Sequence, residues 1–297
     1  MVLFKFSNIS EKLINLIFFS WIVLATSACT NVFLQPSRGK FTDPHRFNIQ
    51  FAEKQLHVNK DVRLTYWHFP AQRWEEGERS LVKPRAMLLH FHGNAQNISS
   101  HFRGMMWALP VGLDVVTFDY QGYGSSSGTK DIDSAFSDSL MMLKWAETEA
   151  EKKNLPLIVY GQSLGGSLLL KALENYRPKN LKLVVVESSF SDYGTVAREA
   201  LSRNWFTYIL QPLTYFLISN EYSIDRNRVK EIAPVPVILI YGDQDSIVEV
   251  SHGKRLYKYL ADPKELWIHS NPGHINGMFV EQGKYKKRLI EKMNQLF

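Results

Sequence analysis

Six short apolar runs recur along the chain, separated by segments with helical spacing. They are rich in Val, Ile and Leu and lack the strict apolar–polar alternation of a half-exposed strand, so each predicts a strand buried on both faces of a parallel sheet. Strands that alternate with helices imply crossover connections within one sheet. The runs occupy residues 86–91, 114–119, 157–160, 182–187, 236–241 and 265–269.

Apolar residues between the runs recur at three- and four-residue intervals, which predicts helices packed against the sheet. The clearest set lies on one face: Ile132, Ala135, Phe136, Leu140, Leu143 and Ala146. Two further short strands are expected around residues 47–53 and 62–69. The chain has 297 residues, of which 45% are hydrophobic, and no linker or repeat divides it. We therefore expect a single α/β domain over residues 46–297.

The amino terminus has the features of a secretion signal. Lys5 and Lys12 precede an apolar run at 13–25, which is shorter than the roughly 20 residues of a bilayer-spanning helix, and small residues follow it. The segment that ends at Cys29 resembles the lipobox of bacterial lipoproteins, in which the cysteine is acylated and becomes the new amino terminus. Thr26 departs from that pattern, which usually has Leu. Cleavage without lipidation and an uncleaved membrane anchor are the alternatives.

This resemblance implies a signal peptide at 1–28, a tether at 29–45 and a lipid anchor in the bacterial cell envelope. An Asp directly after the cysteine would retain a lipoprotein in the inner membrane. Thr30 stands there instead, which implies sorting to the outer membrane. A periplasmic or secreted protein is the alternative. Cys29 is the single cysteine, so an intramolecular disulfide is excluded. The net charge of +6 is spread over interleaved basic and acidic residues, and no nucleic-acid partner is expected.

The third apolar run ends in Gly-Gln-Ser-Leu-Gly at 161–165, followed by a helix-forming segment. This Gly-x-Ser-x-Gly pattern between a strand and a helix is typical of a nucleophile elbow. The turn is so tight that side chains at Gly161 and Gly165 would collide with the neighbouring backbone, and its central residue is strained. The pattern predicts Ser163 as a nucleophile at the amino terminus of a helix, whose N–H groups favour developing negative charge.

A serine nucleophile needs an imidazole base, and the imidazole needs a carboxylate that fixes its tautomer. In chain order the acid and then the histidine come after the nucleophile elbow, each on a loop that follows a later strand. The sixth run leads to His274, which is therefore the predicted base. The fifth leads to Asp243 and Asp245, which spacing alone does not separate. We favour Asp245 as the acid, with Asp243 and then Glu187 as alternatives.

The first run ends in His92-Gly93-Asn94. A His-Gly pair at this position places backbone N–H groups opposite the nucleophile. We predict that the oxyanion hole consists of the backbone N–H groups of Asn94 and Leu164. His92 precedes the serine in the chain, so we interpret it as a support for this loop rather than as the base.

Together these motifs resemble the α/β-hydrolase superfamily, and within it the monoglyceride-lipase and serine-aminopeptidase-like groups. The resemblance runs from about Arg63 to the carboxyl terminus. It implies a mainly parallel sheet of about eight strands flanked by helices, a short helical cap at about 191–232, and no cofactor. In that family the acid follows Gly-x-x, which favours Asp245 over Asp243. The motifs that carry it lie at 92–94, 118–128, 161–166, 242–245 and 273–274.

A serine nucleophile suits acyl transfer at a carbonyl group. The expected substrate is a small acyl compound with a carboxylic ester bond, lipids and thioesters included. A serine peptidase or amidase and a non-catalytic surface binding protein are the alternatives. We expect no metal and no obligate protein partner, and we interpret the glycine-rich stretch at 122–128 as a tight turn. The aromatic residues of the cap either pack against the rest of the domain or form an apolar surface for acyl chains or lipid.

Overall fold

The computed structural model describes residues 34–75 and 78–297. The predicted signal peptide and Cys29 lie outside these described residues. Contacts divide the chain into two compact units. The large unit comprises Leu34–Asp192 and Tyr222–Phe297, and the described part of the small unit is Tyr193–Glu221.

The strands of the described residues are β1 (Ala52–His57), β2 (Arg63–Phe69), β3 (Gln72–Glu75), β4 (Glu78–Leu81), β5 (Ala86–Phe91), β6 (Leu113–Phe118), β7 (Leu157–Gln162), β8 (Leu181–Glu187), β9 (Val237–Gly242) and β10 (Lys264–His269). The helices are α1 (Ile98–His101), α2 (Ile132–Lys152), α3 (Leu164–Leu173), α4 (Tyr193–Ser202), α5 (Trp205–Tyr208), α6 (Thr214–Leu217), α7 (Val250–Tyr259) and α8 (Lys284–Leu296). Short 3₁₀ helices cover Pro44–Phe47, Phe102–Val111, Gln211–Leu213, Val229–Ile232 and Glu281–Gly283.

Eight of these strands form one sheet in the order β1-β2-β6-β5-β7-β8-β9-β10, and β3 pairs with β4 separately. The pairs β1–β2 and β2–β6 are antiparallel, and all neighbours from β6 to β10 are parallel. Every residue of β5, β6, β7 and β9 is buried, as expected for strands covered on both faces. The predicted α/β class and its mostly parallel sheet of about eight strands are confirmed.

Helix α2 begins at a capping residue and packs with the apolar face that the sequence pattern predicts. Its Asp131 cap accepts a hydrogen bond from the N–H of Ser134 at 2.7 Å, which satisfies a donor that the first turn leaves unpaired. Of the six apolar residues predicted on one face, four are buried and two half-buried. The buried four are Ile132, Ala135, Leu143 and Ala146.

One predicted strand is wrong in position. The strand expected around 47–53 begins only at Ala52, and Pro44–Phe47 form a 3₁₀ turn instead. The Asp43 side chain accepts a hydrogen bond from His45 N at 3.0 Å, and the φ of 51° at Asn48 ends the turn. A capping carboxylate followed by proline favours a helical turn, and this local preference outweighs the apolar pattern.

The small unit exposes much of its apolar surface. Arg198 lies over the ring of Tyr215 at 4.4 Å, and Asn220 Oδ1 accepts a hydrogen bond from Gly194 N at 3.0 Å. Eight large apolar side chains are nevertheless between 41% and 77% exposed. They are Trp205, Phe206, Tyr208, Ile209, Leu210, Leu213, Tyr215 and Phe216. These side chains are therefore not core residues. Among the described helices, none is both long and apolar enough to span a membrane.

Candidate active site

The predicted nucleophile lies in a strained turn between β7 and α3. Ser163 has φ 51° and ψ −121°, a conformation that a non-glycine residue adopts only when its surroundings impose it. A Cβ on Gly161 would lie 2.6 Å from the Cα of Gly166, and one on Gly165 would lie 2.2 Å from the carbonyl oxygen of Phe91. The two glycines are therefore required by the close approach of strand, turn and helix.

Hydrogen bonds to the backbone of Ser163 hold this turn from the end of β8 and the residues after it. The N–H of Ser163 donates to the carbonyl of Glu187 at 2.9 Å, and the carbonyl of Ser163 accepts a hydrogen bond from Ser189 Oγ at 2.8 Å. The positive φ of 48° at Ser188 turns the chain between these two contacts. The strained elbow is thus fixed on both sides of Ser163.

His274 forms a hydrogen bond with a buried aspartate. Its Nδ1 lies 2.7 Å from Asp245 Oδ2, and Asp245 Oδ1 accepts hydrogen bonds from the N–H groups of Ile247 at 2.8 Å and Val248 at 3.1 Å. Burial alone would raise the pKa of Asp245, but these hydrogen bonds and the neighbouring imidazole together lower it. The carboxylate therefore stays ionised and can hold the imidazole in one tautomer.

The alternative acids have other partners. Asp243 is exposed and accepts a hydrogen bond from Ser270 Oγ at 3.0 Å. Glu187 is buried and accepts from Tyr160, Gln162 and Gly277. The structure thus pairs His274 with Asp245 rather than with either alternative.

Ser163 and His274 both lie beyond the carboxyl ends of parallel strands, after β7 and β10. Both residues are described, and no hydrogen bond joins their side chains. Catalytic hydrogen bonds are often long in unliganded enzymes and shorten in the substrate complex. The structure therefore contains the Asp245–His274 pair and the strained elbow, with no hydrogen bond between the side chains of Ser163 and His274.

The loop after β5 lies against the nucleophile. A Cβ on Gly93 would be 3.4 Å from the Cβ of Ser163, so the following residue, Asn94, is close to the elbow. The side-chain oxygen of Asn94 accepts hydrogen bonds from Gln35 N at 2.8 Å and Tyr123 Oη at 3.0 Å. Leu164 is the first residue of α3, where N–H groups have no carbonyl partner within the helix. The geometry suits the predicted pair of oxyanion donors.

Two residues that support this loop were missed by sequence reasoning. His101 stacks on the fully buried His92 at 5.0 Å between ring centroids, and its Nε2 lies 3.1 Å from the carbonyl of Ala95. Burial, reinforced by His92, lowers the pKa of His101 to about 4, so it is neutral at physiological pH. Tyr123 is the other residue. The signal that could have found it is its position in the turn after β6, the strand that pairs with β5.

The segment 34–41 contacts the same loop through hydrogen bonds and one isolated β-bridge, Pro36 to Gln96. Ser37 N donates to the carbonyl of Gln96 at 3.1 Å, and Asn97 Nδ2 donates to the carbonyls of Ser37 and Gly39 at 2.8 and 2.7 Å. This segment belongs to the predicted tether, 29–45. Its described part is therefore attached to the loop after β5, which is the predicted oxyanion loop.

The glycine-rich stretch at 122–128 forms the predicted tight turn, because Gly122, Gly124 and Gly128 all have positive φ. A Cβ on Gly124 would lie 2.0 Å from Asp119 Oδ2, so the turn is packed directly against a buried side chain. Within residues 34–75 and 78–297, three or more His, Cys, Asp or Glu side chains nowhere converge as a metal site requires.

Comparisons with known proteins point to one superfamily. The family model described as alpha/beta hydrolase fold matches residues 86–208. YfhR of Escherichia coli (strain K12) is 26% identical over 242 residues, which cover 81% of this chain and 80% of that protein. The Danio rerio lysophosphatidylserine lipase ABHD12 is 27% identical over 235 residues, which cover 71% of this chain and 59% of that protein.

The fold is also similar to that of the Pyrococcus furiosus esterase Pf2001, with a TM-score of 0.67 at 20% identity, over 89% of this chain and 99% of that one. The sheet, the matched model and these relatives agree. They support the chain as a member of the α/β-hydrolase superfamily. The lipase relative supports hydrolase activity.

Proposed function

We propose that this protein is a serine hydrolase that cleaves carboxylic ester bonds through an acyl-enzyme. Ser163 is the nucleophile, His274 the base and Asp245 the acid. The observation that carries the proposal is the 2.7 Å hydrogen bond between His274 and a buried carboxylate, at the same sheet edge as a serine in a strained elbow. The lipase and esterase relatives support the ester as the bond that is cleaved.

In the proposed cycle Ser163 Oγ attacks the ester carbonyl while His274 accepts the hydroxyl proton. The negative charge that develops on the carbonyl oxygen is stabilised by the N–H groups of Leu164 and Asn94, each typically worth about 3 kcal/mol. His274 then gives its proton to the leaving alcohol, and the acyl group remains on Ser163. Water activated by the same imidazole hydrolyses this ester.

The small unit supports an amphiphilic lipid as the substrate class. Its eight exposed apolar side chains include Trp205, Ile209 and Phe216, each more than 70% exposed. Contiguous apolar surface is rare on soluble monomers and marks sites of contact with lipid or with other proteins, and Trp and Tyr favour the membrane–water interface. We assign this surface to contact with the bilayer that contains the substrate.

A chain-length series of p-nitrophenyl esters tests this substrate class. We expect kcat/KM to rise from acetate to decanoate by about fourfold for each CH₂ group that the enzyme buries, because that burial contributes about 0.8 kcal/mol. On lysophospholipid vesicles, the triple variant Trp205→Ser, Ile209→Ser, Phe216→Ser should lose at least about tenfold in rate, and its hydrolysis of dissolved p-nitrophenyl acetate should stay unchanged.

The matched control is Trp74→Ser on β3, which removes another exposed tryptophan and should leave both rates unchanged. A series that peaks at acetate would count against lipid substrates. Equal losses from the Trp74 variant and the triple variant on vesicles would count against a specific lipid surface.

We further propose that Cys29 carries a lipid that anchors the protein at the outer membrane. Gln35, which contacts the oxyanion loop, lies six residues later. Six residues span at most about 20 Å, so a lipid on Cys29 would keep the oxyanion loop within that distance of the bilayer. An anchored enzyme would then act on the membrane that holds it.

Metabolic labelling with an alkyne fatty acid in a Gram-negative host tests the anchor. The wild-type protein should be labelled and fractionate with outer membranes, and Cys29→Ala should be unlabelled. The control Thr30→Asp should remain labelled but move to the inner membrane. Labelling that persists in Cys29→Ala would contradict the proposed anchor.

A further inference from the structure

One buried residue contacts both the nucleophile turn and the loop of the base. The backbone carbonyl of Glu187, at the end of β8, accepts the N–H of Ser163 at 2.9 Å. Its side-chain Oε1 accepts the N–H of Gly277 at 2.6 Å. Gly277 lies three residues after His274 on the same loop. Because Glu187 is only 1% exposed, these bonds form where water does not compete for the donors.

The other carboxylate oxygen of Glu187 joins a polar chain across the sheet. Oε2 accepts hydrogen bonds from Tyr160 Oη at 2.8 Å and from Gln162 Nε2 at 2.7 Å, both on β7. Gln162 Oε1 lies 3.0 Å from His90 Nε2 on β5, and His90 Nδ1 lies 3.0 Å from Thr117 Oγ1 on β6. The chain therefore crosses four strands directly below the elbow.

The amide of Gln162 gives this chain one direction. Its N–H₂ group donates to Glu187 Oε2, so its oxygen faces His90. Burial lowers the pKa of His90 well below its usual value, so the ring is neutral and donates through one nitrogen only. Its Nε2 therefore carries the proton, and Nδ1 accepts from the hydroxyl of Thr117.

We propose that Glu187 is a positioning residue that fixes the loop of His274 relative to Ser163. The inference rests on the proposed serine hydrolase function. The carboxylate does not contact the reacting groups. It acts through Gly277 N–H, while its own backbone holds the elbow, so the separation of nucleophile and base is set by one residue. A catalytic pair misplaced by about 1 Å can lose about 10²-fold in rate.

Gly277 donates the N–H group in the hydrogen bond to Glu187. A Cβ at this position would lie 2.7 Å from Ile240 Cγ2 and 3.1 Å from Glu187 Oε1. Alanine would therefore push the loop away from the carboxylate without altering Glu187 itself. Gly277→Ala is thus an independent way to break the same bond.

The test is steady-state kinetics on a dissolved short-chain ester with Glu187→Gln, Gly277→Ala and the double variant. A glutamine at 187 keeps two hydrogen bonds when its oxygen faces the β7 donors, so its N–H₂ group faces Gly277 N–H and the bond to Gly277 is lost. We expect kcat to fall by about 10²-fold in each single variant with KM changed by less than about threefold. The double variant should lose no more than the single variants, because both break one interaction.

The matched control is Glu147→Gln on α2. Glu147 is also buried and accepts a tyrosine hydroxyl, from Tyr176, and a backbone N–H, from Lys179 at 2.6 Å, but it has no contact with the base loop. The Glu147→Gln variant should reduce thermal stability as Glu187→Gln does, and it should leave kcat unchanged. Equal effects of the two variants on kcat would overturn the positioning role. So would wild-type kcat in Glu187→Gln.

The tautomer of His90 gives a readout that needs no variant. Nitrogen-15 NMR of the wild-type protein should show the proton on Nε2. A proton on Nδ1 in the wild type would overturn the proposed direction of the chain. If the wild type itself has no esterase activity, the proposed function fails, whereas wild-type kcat in an active Glu187→Gln removes only the positioning role.

Discussion

Replacing Ser163 by alanine should lower kcat for ester hydrolysis by about 10⁶-fold, because no acyl-enzyme can form without the hydroxyl. Residual turnover above the rate in water should come from the oxyanion donors and substrate binding. In the described structure Ser163 Oγ makes no hydrogen bond, and the elbow is held through backbone atoms of Ser163. The fold should therefore be unchanged, which circular dichroism and thermal unfolding will check.

Ser246→Ala is the matched control for this variant. Ser246 is exposed and lies on the loop beside the proposed acid, and its replacement should leave kcat within about twofold of the wild type. If Ser163→Ala retained full activity, another group would have to be the nucleophile.

Replacing Asp245 by asparagine should lower kcat by about 10⁴-fold, as expected when an imidazole loses the carboxylate that selects its tautomer. The amide oxygen can still accept the N–H groups of Ile247 and Val248, so the loop should remain folded. The amide N–H₂ group, however, would face His274 Nδ1 and leave the proton on the wrong nitrogen. The rate should be measured at saturating substrate, so that binding effects are separated from chemistry.

Asp243→Asn is the control for that variant, since it removes a carboxylate two residues away whose partner is Ser270. It should keep kcat within about twofold of the wild type. Similar losses in the two aspartate variants would contradict the assignment of the acid.

Local signals in the sequence predict the fold well. The apolar runs at 86–91 and 236–241 coincide with the buried strands β5 and β9, because burial on both faces requires continuous apolar sequence. The elbow at 161–165 is also visible as a local Gly-x-Ser-x-Gly pattern, although the contact that requires Gly165 comes from Phe91 on β5. The strand expected at 47–53 fails for a local reason as well, the cap formed by Asp43.

Contacts between distant residues could not be predicted in this way. Spacing did not separate Asp243 from Asp245, because only the folded loop decides which carboxylate meets His274. Glu187 was visible as an acid at a strand end, but its role depends on the register of β7 and β8 and on a loop 90 residues away. The attachment of Gln35 to Asn94 leaves no pattern in either segment.

The most direct test of the proposed function is covalent labelling of the folded wild-type protein with a fluorophosphonate, followed by peptide mass analysis. Fluorophosphonates react with a serine only where a base and oxyanion donors activate it. The proposal predicts one adduct per chain, on the peptide that contains Ser163, and no adduct in Ser163→Ala. An unmodified wild-type protein, or an adduct on a different residue, would contradict it.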